Sequence, residues 1–582
     1  MRTLLVVPAA GYEDKGFGKS NPEVFSTSYT DMFRAGEYTC WKGLGGAYEV
    51  LDELPEGAPE GTMVIKLTGD DAAKNYGQIG KGDIWACRMG GSNQQSIYIY
   101  NCNNFLMKDC VVYGYAAGLA ITATTIGGNL DLERVHNTVH SPYVITEEEY
   151  NFYKQLEETY EVDLEISQDE MGRYRGSIPR VGSVDATHVA GTTDGISATS
   201  CLFESMCDDG SNQRGNSSRL HSIVKNDDGT TTLTYKGTIS ETYYWLNMQN
   251  GATSSGGTQT SNFREGDRIF VYASNGKILC DTVALSAAER GAEYHMATVN
   301  YTYQGQPTQI VYSCYLYSVT VSSDAIEWEL DEDGNETDQA TALVGYNLMD
   351  NSYAMTHKVL VDNITLNSCG FVFDNVLVQN TRSRGILVKT RDAVVKNCTF
   401  RDLAMTGVLL SVETSWGESS VPQNILVQSC LFDGTSGSFG SENTMKYAPI
   451  AIEGLGELSD KVEVKESTLP CKDIKIIGNK FVNNINNYCI TMSAAQGITI
   501  KDNVFTAREG DTQKKFGKAI YIKGCMNIDI SGNEYSPFAV DENGDLDITQ
   551  AVVANNYKGL TGSDIGDKLP VDNIPEAETT AP

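Results

Sequence analysis

The sequence predicts an all-β protein: a right-handed parallel β-helix carrying an inserted β-barrel-like domain. Three observations predict it. Seven segments share one strand-and-corner pattern, and several neighbours among them lie 24 to 32 residues apart. No repeated helix accompanies them. The pattern stops from about Asn216 to about Ala342, where long strand-like runs replace it.

The segments are "FLMKDCVV" (105–112), "GISATSCLF" (195–203), "DAVVKNCTF" (392–400), "NILVQSCLF" (424–432), "DIKIIGNKF" (473–481), "GITIKDNVF" (497–505) and "NIDISGNEY" (527–535). Each alternates apolar and polar residues, as a half-buried strand does. Each then places Ser, Asn, Asp or Gly before a Cys or Asn. That pair reads as a corner, where a small side chain turns inward and Asn bonds neighbouring backbone. The period is that of a solenoid whose stacked rungs bury one continuous core. Leucine-rich and ankyrin patterns are absent. Glycine (56) and tyrosine (31) against 14 prolines suit a strand-and-turn protein.

In chain order, residues 1–85 carry strand and Gly/Pro turn signals and read as a β-rich cap. Residues 86–215 are the first part of the solenoid. Within them "TEEEYNFYKQLEETY" (146–160) is the best helix, and Thr146 and Glu149 have capping-box spacing. Residues 216–342 hold "DRIFVYASNGKILCDTVAL" and "TQIVYSCYLYSVTV", with turn signals "SNGK" and "EDGNE". They read as antiparallel hairpins in an inserted barrel or sandwich. The solenoid resumes over 343–540, and 541–582 reads as an acidic tail ending in a mobile "VDNIPEAETTAP".

The formal net charge is -32. That surface repels nucleic acid and anionic membrane and suits a neutral substrate such as a sugar; it serves solubility equally well. No apolar run reaches the ~18–20 residues of a membrane span. The start "MRTLLVVPAAGYED" is too short for a signal peptide, so the expectation is a mature or truncated N terminus. The 14 Cys include no CxxC. Zinc-type spacing and HExxH are also missing, and Cys110, Cys201, Cys398 and Cys430 sit at the repeated corner. Buried thiols are expected rather than a disulfide framework, and no metal or cofactor.

The candidate chemistry lies in "SCLFESMCDDGSNQRG" (200–215). Adjacent like charges at Asp208 and Asp209 shift each other's proton affinity. Asp185, in "GSVDATHVAG", stands 23 residues before Asp208 and 24 before Asp209. That is about one coil, and adjacent strands lie about 4.8 Å apart. Three carboxylates therefore gather on one face. Glycosidic hydrolysis needs two, one protonated and one ionised, and mutual repulsion lets one member hold a proton near neutral pH. A "DDG" is otherwise a turn with solvated acids, a lone His188 is otherwise a packed histidine, and three acids can hold Ca²⁺, although EF-hand spacing is absent.

The runs "GDIWACRMGGSNQQSIYIYNCNNFLMKDCVVYGYAAG", "DLERVHNTV", "VDATHVAGTTDGISATSCLFESMCDDGSNQRG" and "RSRGILVKTRDAVVKNCTFRDLAMTGVLLSVETSWGESS" together resemble glycoside hydrolase family 110, the exo-α-1,3-galactosidases that include enzymes acting on blood group B. The resemblance runs from about Gly82 to Phe432, outside the insert. It implies a parallel β-helix with β-barrel domains and an inverting, metal-independent release of galactose. It implies Asp185, followed by His188, as general acid. It implies Asp208 and Asp209 as base, with Asn212 following. Arg214 stands where the family has His. The segment "VETSWGES" matches a family W-x-E-S stretch and offers Glu413, Trp416 and Glu418 to the sugar; Trp416 is otherwise a rung-end packing residue. Arg384 either binds sugar hydroxyls or pairs with acids on the solenoid.

Two alternatives remain. Polygalacturonases share the β-helix and an Asp one coil from an Asp pair, but they carry a Gly-His-Gly and an Arg-Ile-Lys, and "RGILVKT" is the nearest approach here. A non-catalytic β-helix adhesin would need no clustered acids. The expected partner is an α-galactoside glycan, at an extracellular, cell-surface or periplasmic location. A homodimer is compatible with the sequence.

Overall fold

The computed structural model describes the chain between residues 3 and 574 except for interspersed stretches, the longest being 8–29, 34–41, 69–78, 88–95, 114–120, 139–144, 177–183, 238–262, 349–358, 413–419, 437–447, 455–463, 507–517 and 537–544. Its centre is a sheet of 25 strands whose pairings are all parallel, the expected parallel β-helix. Each coil supplies three short strands. One column runs through Ile196–Thr199, Val372–Asp374, Arg391–Lys396 and Gln423–Gln428. A second runs through Leu202–Glu204, Leu377–Gln379, Thr399–Arg401 and Leu431–Asp433. A third runs through Ile97–Tyr100, Ile121–Thr124, Thr187–Ala190, Ser211–Arg214, Ile386–Val388, Val408–Ser411 and Ile450–Glu453.

The repeated motif explains the stacking. The residue before each corner Cys or Asn sits in the left-handed region: Ser200 at φ 53°, Asn397 at 54°, Ser429 at 54°, Asp502 at 56° and Gly532 at 69°. Small polar residues and Gly tolerate that conformation best. The corner side chain then serves the backbone of a neighbouring coil. Cys398 and Cys430 are buried and donate Sγ–H to Phe373 and Val395 carbonyls. Further along, Asn takes over. Asn503 Oδ1 accepts the Asn479 backbone N–H at 2.9 Å, and Asn533 Oδ1 accepts that of Asn503 at 2.9 Å. Two residues past the corner an aromatic ring turns inward. Phe400, Phe432, Phe481, Phe505 and Tyr535 stack with centroids 4.9, 4.9, 5.0 and 5.3 Å apart. That spacing is the strand separation itself, so one motif position yields one continuous ring stack.

The described cysteines are free thiols, most of them buried, the corner residues Cys201, Cys398 and Cys430 among them. The helix forms over Glu147–Tyr160 with the expected capping box. It buries Tyr153 against Ile145, Leu164 and Ile166 in a core of its own. Among the described residues no helix is long and apolar enough to cross a membrane.

Two boundaries differ from expectation. The insert leaves the solenoid after Arg214 and forms an antiparallel array of seven strands. It does not end at 342. Val359–Asn363 belongs to it, pairing antiparallel with Ser218–Lys225 and Arg268–Ala273. This strand is buried on both faces, so its sequence "VLVDN" lacks the alternation that tells insert from solenoid. The neighbouring strand serves both layers: Phe270 and Tyr272 join the solenoid core, while Ile269 and Val271 join the insert's. The expected tail also holds structure. Val552–Thr561 adds a further coil onto Ile520–Ser531, and Asp564 ends the Asn ladder by accepting from Asn533. Asn573 bridges to Tyr557; residues 575–582 of the expected mobile end lie outside the described residues.

Candidate active site

Three strands of the third column build the site. Thr187–Ala190 pairs with Ser211–Arg214, Thr187 opposite Ser211, and Ser211–Arg214 pairs with Ile386–Val388, Ser211 opposite Ile386. The corners that lead into these strands are therefore stacked too. The Ala186 N–H donates to the Asp209 carbonyl at 3.0 Å, and the Gly210 N–H to the Arg384 carbonyl at 2.9 Å. By that register Asp185, Asp209 and Arg384 hold one corner position in three successive coils. A chain separation of 175 residues between Asp209 and Arg384, most of it the insert, disappears in space.

Asp185, Asp208 and Asp209 each bring a carboxylate oxygen within 4.8 Å of the others. Asp209 is 1% exposed and Asp185 3%, whereas the Asp208 side chain is 31% exposed. The positive charge that faces them is Arg384. Its Nε donates to Asp209 Oδ1 at 2.7 Å, its backbone N–H reaches the same oxygen at 3.3 Å, and its Nη2 lies 3.7 Å from Asp208 Oδ1. Burial pushes the Asp209 carboxyl up. Arg384 opposes this, the charges of Asp208 and Asp185 add to it, and the balance lies at about 8.

Asp185 is held differently. Its Oδ1 accepts the Asp209 backbone N–H at 3.0 Å and its Oδ2 bonds His188 Nδ1 at 2.8 Å. His188 Nε2 in turn faces Arg214 Nε at 2.7 Å. Arginine only donates, so Nε2 is the acceptor, the imidazole is neutral, and its proton sits on Nδ1. Asp185 thus accepts at both oxygens. The resemblance implies the general acid at this residue; the structure holds its carboxyl between the Asp209 N–H and His188. Arg214 sets the His188 tautomer.

Asn212 is buried opposite His188 in the strand register. Glu413, Trp416 and Glu418 lie outside the described residues. The structure adds residues that sequence reasoning missed. Asn137 Nδ2 donates to the Ala186 carbonyl and pins the corner beside Asp185. Thr187 Oγ1 and Gln213 Nε2 meet Ser211 Oγ at 2.6 and 2.8 Å inside the coil. Gly210, Gly385 and Gly407 stack behind the Asp209–Arg384 pair, where a Cβ on Gly210 would stand 2.6 Å from the Gly385 carbonyl oxygen. The Asp-Asp-Gly and Arg-Gly dipeptides held that signal, but only pairing across the insert reveals the stack.

Arg384 lowers the proton affinity of Asp209, so an Arg384→Met protein should move the alkaline limb of any pH–rate profile upward. It should also lose about 10²-fold in turnover from misplacement of the pair. A profile with an unmoved limb would separate Arg384 from the proton.

No protein-family model and no curated protein matches the chain. Among solved structures, the tailspike gp61 of Pseudomonas phage phi297 is similar at 10% identity with a TM-score of 0.13, over 66% of this chain and 64% of the tailspike. The chain thus spans less than two thirds of the tailspike's length, and a likeness this slight carries no functional argument. The fold and site themselves define a parallel β-helix with three carboxylates and an arginine in one corner, an arrangement compatible with a glycoside hydrolase.

Proposed function

We propose that the protein is a glycoside hydrolase that removes terminal non-reducing α-1,3-linked galactose from glycans outside the cell. The observation that carries the reading is the convergence of Asp185, Asp208 and Asp209 within 4.8 Å. Gathering three buried or half-buried acids costs stability unless the charges are used or compensated, and such perturbed groups concentrate at functional sites. The galactoside specificity rests on the family resemblance of the sequence.

In this reading Asp209 holds the proton that the leaving oxygen receives. Asp208, the exposed member, is the carboxylate that meets water. Asp185 positions the pair through the Asp209 N–H and keeps a second negative charge beside the proton. Inversion follows from the resemblance, and two observations bear on it in opposite senses. The 4.8 Å limit lies closer to the ~5–5.5 Å of retaining pairs than to the ~6.5–9.5 Å of inverting ones. Against retention, both Asp185 oxygens are engaged in hydrogen bonds and burial raises the proton affinity of Asp209, which weakens each as a nucleophile.

The test is release of free galactose from an α-1,3-galactosyl disaccharide by the wild type and by Asp208→Asn. The wild type should release β-galactose first by NMR, and the variant almost none. An α-anomeric first product overturns inversion. A wild type that binds glycans yet cleaves no α-galactoside overturns the hydrolase reading in favour of an adhesin.

A further inference from the structure

We infer that Tyr98 and Tyr100 form an outer subsite on which the sugar rings of a longer glycan stack while its terminal residue occupies the carboxylate corner. The inference rests on the glycosidase reading and names its substrate class: an oligosaccharide that continues along the solenoid, rather than a lone galactoside.

Ile97–Tyr100 is the first strand of the third column. Ile97 and Ile99 turn toward the core, Ile99 with 4% exposure, and Tyr98 and Tyr100 turn outward with 55% and 47%. Their rings are near-parallel, 9° apart in plane, with centroids 5.9 Å apart. Single exposed hydrophobics are ordinary on a protein surface. Two aligned phenol rings side by side on one strand are a different feature. Tyrosine combines a broad apolar face with a polar tip, which suits the C–H face and hydroxyl rim of a pyranose.

Register ties this pair to the site. Tyr98 stands opposite Thr122, Thr122 opposite His188, and His188 opposite Asn212. Tyr100 stands opposite Thr124, then Ala190, then Arg214. The tyrosines and the groups that hold Asp185 therefore lie on one sheet face. Two strand spacings, about 10 Å, separate Tyr98 from His188. A short run of sugars spans that distance; the register positions between are Thr122, Thr124 and Ala190, and Ala190 is itself buried. The acidic surface selects a neutral chain for this path.

The test compares the full-length wild type with Tyr98→Ala/Tyr100→Ala and Tyr98→Phe/Tyr100→Phe. The readout is the ratio of kcat/KM on a longer α-galactosyl oligosaccharide to that on an aryl α-galactoside. The Ala pair should lower the ratio about tenfold, mainly through KM, and the Phe pair should keep it. The same oligosaccharide is titrated calorimetrically into Asp208→Asn protein with and without the Tyr changes. Weaker binding in the Ala pair supports the subsite even if no substrate is cleaved, so failure of the hydrolase reading stays distinguishable. Unchanged ratio and unchanged binding overturn the subsite. Equal loss in the Phe and Ala pairs overturns stacking. A dimer that the Ala pair turns into a monomer assigns the surface to a second copy and overturns it as well.

Discussion

Asp209→Asn is expected to lower hydrolysis of an unactivated α-1,3-galactosyl disaccharide by about 10²–10⁴-fold, and that of an activated aryl α-galactoside much less. A poor leaving group needs the proton; an activated one departs without it. Asparagine keeps the oxygen that Arg384 Nε grips and removes only the acid, so the corner should stay formed. The reverse pattern, with leaving-group dependence following Asp185→Asn, would restore Asp185 as the acid. Stability gives a second readout. The folded carboxyl lies at about 8, above the ~3.9 of an unfolded Asp. This group therefore binds more proton in the folded chain between those values, and its contribution to stability is lost as pH rises from about 4 through 8. Asp209→Asn should flatten that part of the melting-versus-pH curve. An identical slope in the variant would show that Asp209 is ionised across the range.

Gly385→Ala is expected to destabilise the fold by about 3 kcal/mol or more. Its backbone is ordinary; space is the obstacle. A Cβ at Gly385 would meet the Gly407 carbonyl oxygen and stand 2.6 Å from Phe400 Cδ1. Neither can retreat. The carbonyl belongs to the ladder in which the Ile386 N–H donates to Gly407 at 2.8 Å. Phe400 is pressed against Phe432 in the aromatic stack. The coils would have to part just beside Arg384, so activity should fall with stability. Urea unfolding followed by circular dichroism checks this, and an unshifted midpoint would refute the close packing of the glycine column.

Much of the solenoid was legible because its physics is local. Ser429, Cys430 and Phe432 lie within four residues of chain and set a left-handed corner, an inward thiol and an inward ring. The same three roles recur as Asp502, Asn503 and Phe505, so the pattern survives changes of residue type. The insert's end was illegible for the opposite reason. "VLVDN" is buried on both faces, and nothing local says which sheet it will join. The last coil escaped notice because Val552–Thr561 closes the solenoid without a corner motif of its own.

The site divides in the same way. The one-coil spacing of Asp185 and the Asp208–Asp209 pair was present in the residue count, because parallel strands convert chain distance directly into neighbourhood. Arg384 was visible as a charge, but its partner was not, since the insert separates it from Asp209 along the chain. Sequence by itself determined the β-helix, its repeating core and the convergence of three acids. Only tertiary structure shows what shapes proton affinity at the corner: burial raises that of Asp209, and the Arg214–His188–Asp185 chain of bonds is made across coils. Proton affinity depends on solvent exclusion and on charges a few ångströms away, and neither is a property of neighbours in the chain.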